Sequence, residues 1–246
     1  MRTNRDVDPF VFSGRVILWP LLFVLLMWVI FWVEVRFGYN FTSLGVLPRD
    51  VIGLRGIVFS PFIHSSIGHL ASNSVPMLVL TAGLLYFYRP VSTNVLLWLI
   101  VLSGLGTWLI GRQAYHIGAS GIIYGLASFL FFKGIWSRYY RLIAFSLIVV
   151  FIYGSLVWGL LPNNPGVSWE GHLAGMIGGI LLALVFKSPI AKPKKYAWQA
   201  VDYDESDDPF LRQFDKDGNF IEPIDDEDVE ETDNTKDGWI SNSTWD

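Results

Sequence analysis

The chain contains no cysteine among its 246 residues, and only 16% of them are charged. The first absence excludes a disulfide scaffold, thiolate catalysis and a cysteine-ligated zinc site. The second matters as much, because an ordinary soluble domain carries about 25% charged residues. This chain is short of groups that face water, while hydrophobic types make up 52% of it. There is no basic stripe for nucleic acid, since the positive charges are scattered between apolar runs. Acids are scarce through most of the chain: residues 1–195 hold 15 Lys and Arg against 5 Asp and Glu, a net +10. Residues 196–246 reverse this, with 3 against 17, a net −14. The first region is too apolar for a soluble globule, and the second is too acidic to build a core.

A bilayer core is crossed by about 17–25 mostly apolar residues in a helix. Six such runs are expected, at Val16–Val35, Ile67–Tyr88, Val95–Ile110, Ile117–Phe132, Leu142–Leu161 and Trp169–Phe186. The first is expected to be retained, because no Ala precedes Ala71 and so no Ala-x-Ala cleavage site follows it. With the N-terminus inside, the inner segments carry 11 Lys and Arg. The outer ones carry four: Arg36, Arg49, Arg55 and Arg112. The excess favours cytoplasmic placement of both ends. The expected organisation is a cytoplasmic segment over 1–15, an all-α six-span membrane domain over 16–187 and an acidic cytoplasmic tail over 188–246. The tail lacks the apolar content to fold and is expected to be disordered. Its Asp215–Glu222 stretch is spaced somewhat like a calcium loop, with the Gly at the wrong offset. The loop over residues 36–63 mixes glycines with Phe41, Leu44, Leu47, Leu54 and Phe59. Such a mixture predicts a structured element resting on protein or in the interface.

Polar side chains at membrane depth are costly and mark function by default. The four histidines, His64, His69, His116 and His172, all fall at or near outer span ends. His69 and Asn73 are spaced i, i+4 and share a helix face, and both can donate hydrogen bonds. His64 points elsewhere and is expected to brace the long loop. Gly118-Ala119-Ser120-Gly121 puts a serine at a helix start, where free amides and the dipole favour an oxyanion. Taken alone, such small residues also suit plain close packing. In the last span His172, Gly175 and Gly179 share a face, and Gly175 with Gly179 lets another helix approach. Gly121 and Gly125 offer a matching pair. If these faces meet, Ser120 and His172 confront each other. Ser120 lies 13 residues from Lys133, and His172 lies 15 from Lys187. At 1.5 Å per residue both sit about 20 Å from the inner charges, at one depth. A nucleophile–base pair needs that coincidence. No side chain in the pattern orients the histidine, because Glu170 is two residues away and serves as a first-turn acid. A dyad is therefore expected.

These residues resemble the rhomboid intramembrane serine proteases in three separate motifs. They are His64-x4-His69-x3-Asn73, Gly118-Ala119-Ser120-Gly121 with Tyr124 four residues after the serine, and Gly171-His172-x2-Gly175-x3-Gly179. They fall in order on the second, fourth and sixth runs and span residues 57–187. The resemblance implies that Ser120 is the nucleophile and His172 the general base. It implies that His69, Asn73 and the Ser120 amide bind the oxyanion, with Tyr124 stacked on the His172 ring. The implied substrates are transmembrane proteins in the lipid bilayer, cut near the outer face after small residues. No cofactor, metal or nucleic acid enters that chemistry. A bacterial plasma membrane suits the short chain and simple six-span core. One departure is that many family members carry a Trp-Arg pair in the first loop, and no Trp occurs here between Arg36 and Ile63. The rival readings are a non-catalytic relative that escorts membrane helices, and a channel or transporter. The first would lack the serine or the histidine, and the second would want acids within the spans.

Overall fold

A computed structural model describes residues 12–137, 139–162, 166–187, 203–204, 206 and 208–221. The expected N-terminal segment up to residue 11, Arg138, Lys192, Lys194, Lys195 and most of the acidic tail lie outside the described residues. Seven α-helices occur among those described: α1 (Arg15–Phe37), α2 (Gly56–Phe59), α3 (Ile67–Phe87), α4 (Ser92–Ile110), α5 (Ser120–Trp136), α6 (Tyr140–Tyr153) and α7 (Trp169–Val185). The only β pairing described is a pair of isolated bridges.

Among the described residues, four segments are long and apolar enough to cross a membrane: α1, α3, α4 and Tyr140–Leu160. The remaining two of the six expected runs, α5 and α7, have 17 residues each. That length is about 26 Å, slightly under a hydrocarbon core of about 30 Å. These two short helices are central. α5 packs on α3, α4, α6 and α7, and α1 lies outside on α3. Leu70, Leu80, Leu99, Leu126, Phe129 and Leu130 form the buried core. Large apolar side chains such as Trp19, Leu25, Trp98 and Phe151 face outward, and Phe151 is 92% exposed. An outward apolar belt around a close-packed interior suits lipid as the solvent.

Local chemistry sets the helix ends. Ser66 caps α3 by accepting the His69 amide at 3.1 Å, and Ser168 caps α7 by accepting the Gly171 amide at 3.3 Å. α5 begins at Ser120 and not at Ile117, because Gly118 has φ +105° and cannot be helical. The Gly118 amide donates instead to the Ser60 carbonyl at 2.8 Å. α6 gives way at Gly154 to a 3₁₀ stretch, Gly154–Leu160.

The long loop folds into consecutive short turns: 3₁₀ turns at Thr42–Leu44, Ile52–Arg55 and Ser60–Phe62, with α2 between the last two. Val46 and His116 exchange both backbone hydrogen bonds at 2.9 Å, tying the loop to the segment before Ser120. Arg49 reaches the Leu109 and Gly111 carbonyls at 3.2 and 2.9 Å, and Trp108 of α4 donates to the Asp50 carbonyl at 2.7 Å. The tryptophan that seats this loop thus comes from a helix and not from the loop itself.

Pro193–Asp246 forms a second unit. Its described part is a turn in which Phe214 pairs with Phe220. The Asp215 carboxylate accepts the Asp217 and Asn219 amides at 2.9 and 2.8 Å and the Asn219 side chain at 3.0 Å. The calcium-like spacing is therefore that of a self-satisfied Asx turn.

Candidate active site

The Gly-x-x-x-Gly faces of α5 and α7 meet. A Cβ added to Gly175 would overlap the Gly121 carbonyl oxygen, and one on Gly179 would overlap the Gly125 carbonyl oxygen and Ser128 Oγ. Only glycines allow backbones this close. Ser128 donates across the seam to the Met176 carbonyl at 3.0 Å, and at the far end Lys133 donates to the Ala183 carbonyl at 2.9 Å.

This contact brings Ser120, the first residue of α5, against His172 in the first turn of α7. Ser120 Oγ lies 2.8 Å from His172 Nε2. His172 Nδ1 lies 2.8 Å from the Gly159 carbonyl oxygen. A carbonyl can only accept, so Nδ1 carries the proton and Nε2 presents its lone pair to the Ser120 hydroxyl. The orienting group that the side-chain pattern lacked is thus a backbone carbonyl in the 3₁₀ stretch after α6. Sequence reasoning had no signal for it, because a carbonyl belongs to every residue. Tyr124 stacks on the His172 ring at 4.1 Å between centroids and 9° between planes. Its hydroxyl donates to the Leu156 carbonyl at 2.5 Å, which pins both rings to the same stretch. Gly159 has no room for a side chain, since a Cβ there would meet the Tyr124 hydroxyl and lie 3.1 Å from His172 Nδ1.

Ser120, His172, Tyr124, His69 and Asn73 line one cavity of about 570 Å³. Asn73 is 4% exposed and gives one amide hydrogen to the His69 carbonyl at 2.8 Å, which leaves its second. His69 Nδ1 is 3.3 Å from Ser65 Oγ, and its Nε2 lies over Gly118, where a Cβ would come within 2.7 Å. The Ser120 amide is at a helix start and has no intrahelical partner. His69, Asn73 and Ser120 thus all face the same cavity. His64 is 3% exposed and packs edge-on against the His69 ring at 5.0 Å between centroids. Burial, and secondarily the neighbouring His69, holds its pKa down to about 4, so it is neutral.

Arg112 and His116 also line the cavity, and Glu170 holds Arg112 from the start of α7. Glu170, 3% exposed, accepts the Arg112 amide at 3.2 Å and its guanidinium at 3.3 Å. Arg112 also reaches the Val167 carbonyl at 2.9 Å. His116 Nε2 donates to the Arg112 carbonyl at 3.0 Å, and its Nδ1 meets Ser168 Oγ at 2.5 Å. Glu170 is therefore a clamp between the α4–α5 loop and the start of α7, as well as a first-turn acid.

An apolar helical bundle with a serine–histidine pair at one end has the form of a membrane-embedded serine protease. The Rhomboid domain matches residues 53–189, and the chain belongs to the rhomboid family of intramembrane serine proteases. Uncharacterised proteins of Mycobacterium bovis and Mycobacterium tuberculosis are each 36% identical to it over 188 residues, covering 71% of this chain and 76% of theirs. An uncharacterised protein of Mycobacterium leprae is 34% identical over 173 residues, covering 65% and 66%.

Proposed function

We propose that the chain is an endopeptidase that cuts other membrane proteins within or next to a transmembrane helix, near the outer face. Ser120 is the nucleophile and His172 the general base. The observation that carries this reading is the 2.8 Å approach of Ser120 Oγ to His172 Nε2 with Nδ1 committed to the Gly159 carbonyl. His172 takes the hydroxyl proton as Ser120 attacks the scissile carbonyl, then returns it to the leaving amine. The acyl-enzyme is hydrolysed by water entering the cavity. The negative oxygen of each tetrahedral intermediate is met by the Ser120 amide, His69 Nε2 and the second Asn73 amide hydrogen. An intact helix shields its own peptide bonds, so the substrate unwinds locally and small residues fit before the cut.

In this reading α5 and α7 are spans as well, giving six over residues 16–187. Both ends, with the 188–246 tail, lie in the cytoplasm of a bacterium, and the domain sits in its plasma membrane. The snorkelling basic groups at the inner ends, Lys133 among them, compensate for the two short helices.

The test is cleavage of a single-span model substrate in liposomes, with fluorophosphonate labelling alongside. Wild type should give product, and Ser120→Ala and His172→Ala should give none. Asn73→Ala should lose on the order of 10²–10³ in rate. A Ser120→Ala variant as active as wild type would overturn the mechanism. Wild type that is neither active nor labelled would favour a protein that only binds membrane helices.

A further inference from the structure

A second cavity, larger than the one around Ser120, opens elsewhere in the bundle. It is a groove of about 640 Å³ between α1 and α4, over α3 and α5. α1 packs there on α3 and α4 on α5, while α1 and α4 make no extensive contact with each other. Its deep part is apolar, formed by Phe23, Met77, Leu96 and Ile100, with the exposed Leu97 on its rim. Its mouth is polar and positive, with Arg15, Arg89, Ser13 and Thr93, and Trp19 beside them.

The mouth is at the end of the bundle away from Ser120, since Arg89 follows the last turn of α3 and Arg15 opens α1. Arg15 and Arg89 are both exposed, and neither meets a carboxylate among the described residues. α1 and α4 both begin there, with no acidic side chain in the first turn of either. From Arg15 to Phe23 and from Thr93 to Ile100 the groove descends about 11–12 Å along the helices, and from Arg89 to Met77 about 18 Å. One leaflet of the hydrocarbon core is about 15 Å deep. The groove thus has the dimensions of one leaflet, an apolar wall for an acyl chain and two guanidinium groups for a phosphate. Charge and length together select an amphiphile with an anionic head.

We propose that this groove is a specific site for one anionic phospholipid, with its phosphate between Arg15 and Arg89 and an acyl chain along Phe23, Leu96 and Ile100. The site is separate from the Ser120 cavity and stands independently of the catalytic reading. It gives α1, which otherwise leans on α3 alone among the long helices, a lipid to pack against.

Native mass spectrometry tests this on the full chain released from nanodiscs of equal phosphatidylglycerol and phosphatidylcholine. Wild type should retain phosphatidylglycerol over phosphatidylcholine about thirtyfold, given the pull of two basic groups at a membrane surface. Arg15→Gln/Arg89→Gln should lose the preference, and Arg15→Lys/Arg89→Lys should keep most of it. Leu97→Trp, which blocks the groove from its rim and leaves both charges, should lose the retained lipid. Arg141→Gln, a charge lost elsewhere on the same end, should leave the preference intact. Equal retention of the two lipids by wild type would overturn the proposal. So would a preference that survives Arg15→Gln/Arg89→Gln, or one that Arg141→Gln removes as well. Displacement by inorganic phosphate at millimolar levels would reduce the site to an anion site without an acyl groove, and would also overturn it.

Discussion

Gly175→Ala is the sharpest probe of how the fold holds the site. A methyl group there overlaps the Gly121 carbonyl oxygen. The obstacle is backbone in a buried helix, so no side chain can turn away to make room. Carbon and oxygen need well over 3 Å between them, so α5 and α7 must part by about 1 Å or more. Gly121 adjoins Ser120, and His172 lies one turn before Gly175, so the separation falls on the 2.8 Å contact between Ser120 Oγ and His172 Nε2. Stretched by 1 Å, that contact is no longer a hydrogen bond. Overpacking of this kind costs about 1–3 kcal/mol in stability. A misplacement of 1 Å at a catalytic pair costs about 10²-fold in rate. Activity should therefore fall about a hundredfold at a temperature where the variant is still folded. The assay is initial cleavage rate in liposomes, with thermal unfolding measured on the same preparations. Gly154→Ala is the control: its backbone is helical, at φ −60° and ψ −25°, and its Cβ would meet only Val150 Cγ1 at 3.7 Å. It should be neutral in both measurements. A Gly175→Ala variant with wild-type rate and stability would refute the argument that glycine-limited approach of α5 and α7 sets the dyad.

Other outcomes follow from single contacts. Tyr124→Phe keeps the ring stack but loses the hydroxyl bond to the Leu156 carbonyl, about 1 kcal/mol; melting temperature should drop slightly and kcat several-fold, with KM unchanged. Arg112→Gln leaves the buried Glu170 carboxylate without its cation, costing about 1–3 kcal/mol in thermal unfolding. A second change, Glu170→Gln, should recover part of that loss, because the uncompensated charge is then gone. Burial lowers the pKa of His64 to about 4 from an ordinary 6.5. Its unfolded form binds a proton first, so stability should fall as pH drops from about 6.5 towards 4, by about 3 kcal/mol at most. The slope of melting temperature against pH over that window should be shallower in His64→Gln, and an unchanged slope would remove His64 from the account.

Much of the fold was legible because a bilayer makes long apolar runs conspicuous. The starts and stops of α1, α3 and α7 fall within a few residues of where hydropathy puts them. Two details that hydropathy does not reach have local causes. The expected start at Ile117 moved to Ser120 because Gly118 takes a positive φ, which hydropathy does not sense. The run expected over Leu142–Leu161 is present as the apolar segment Tyr140–Leu160; what hydropathy does not sense is that it tightens at Gly154 into a 3₁₀ stretch, which supplies the carbonyls that hold Tyr124 and His172.

By itself, the sequence determined the chemistry available: a serine and a histidine at similar distances from inner basic residues, glycine pairs at matching spacings, and His69 and Asn73 on one helix face. Spacing along a helix determines which residues share a face and a level, so these were readable from numbers alone. Only the tertiary structure decided which faces meet, which tautomer His172 adopts and what keeps Glu170 satisfied. Those outcomes depend on backbone carbonyls and on contacts between residues 52 to 58 positions apart. A carbonyl carries no sequence signature, and a contact across that many residues leaves no periodic trace in a single chain.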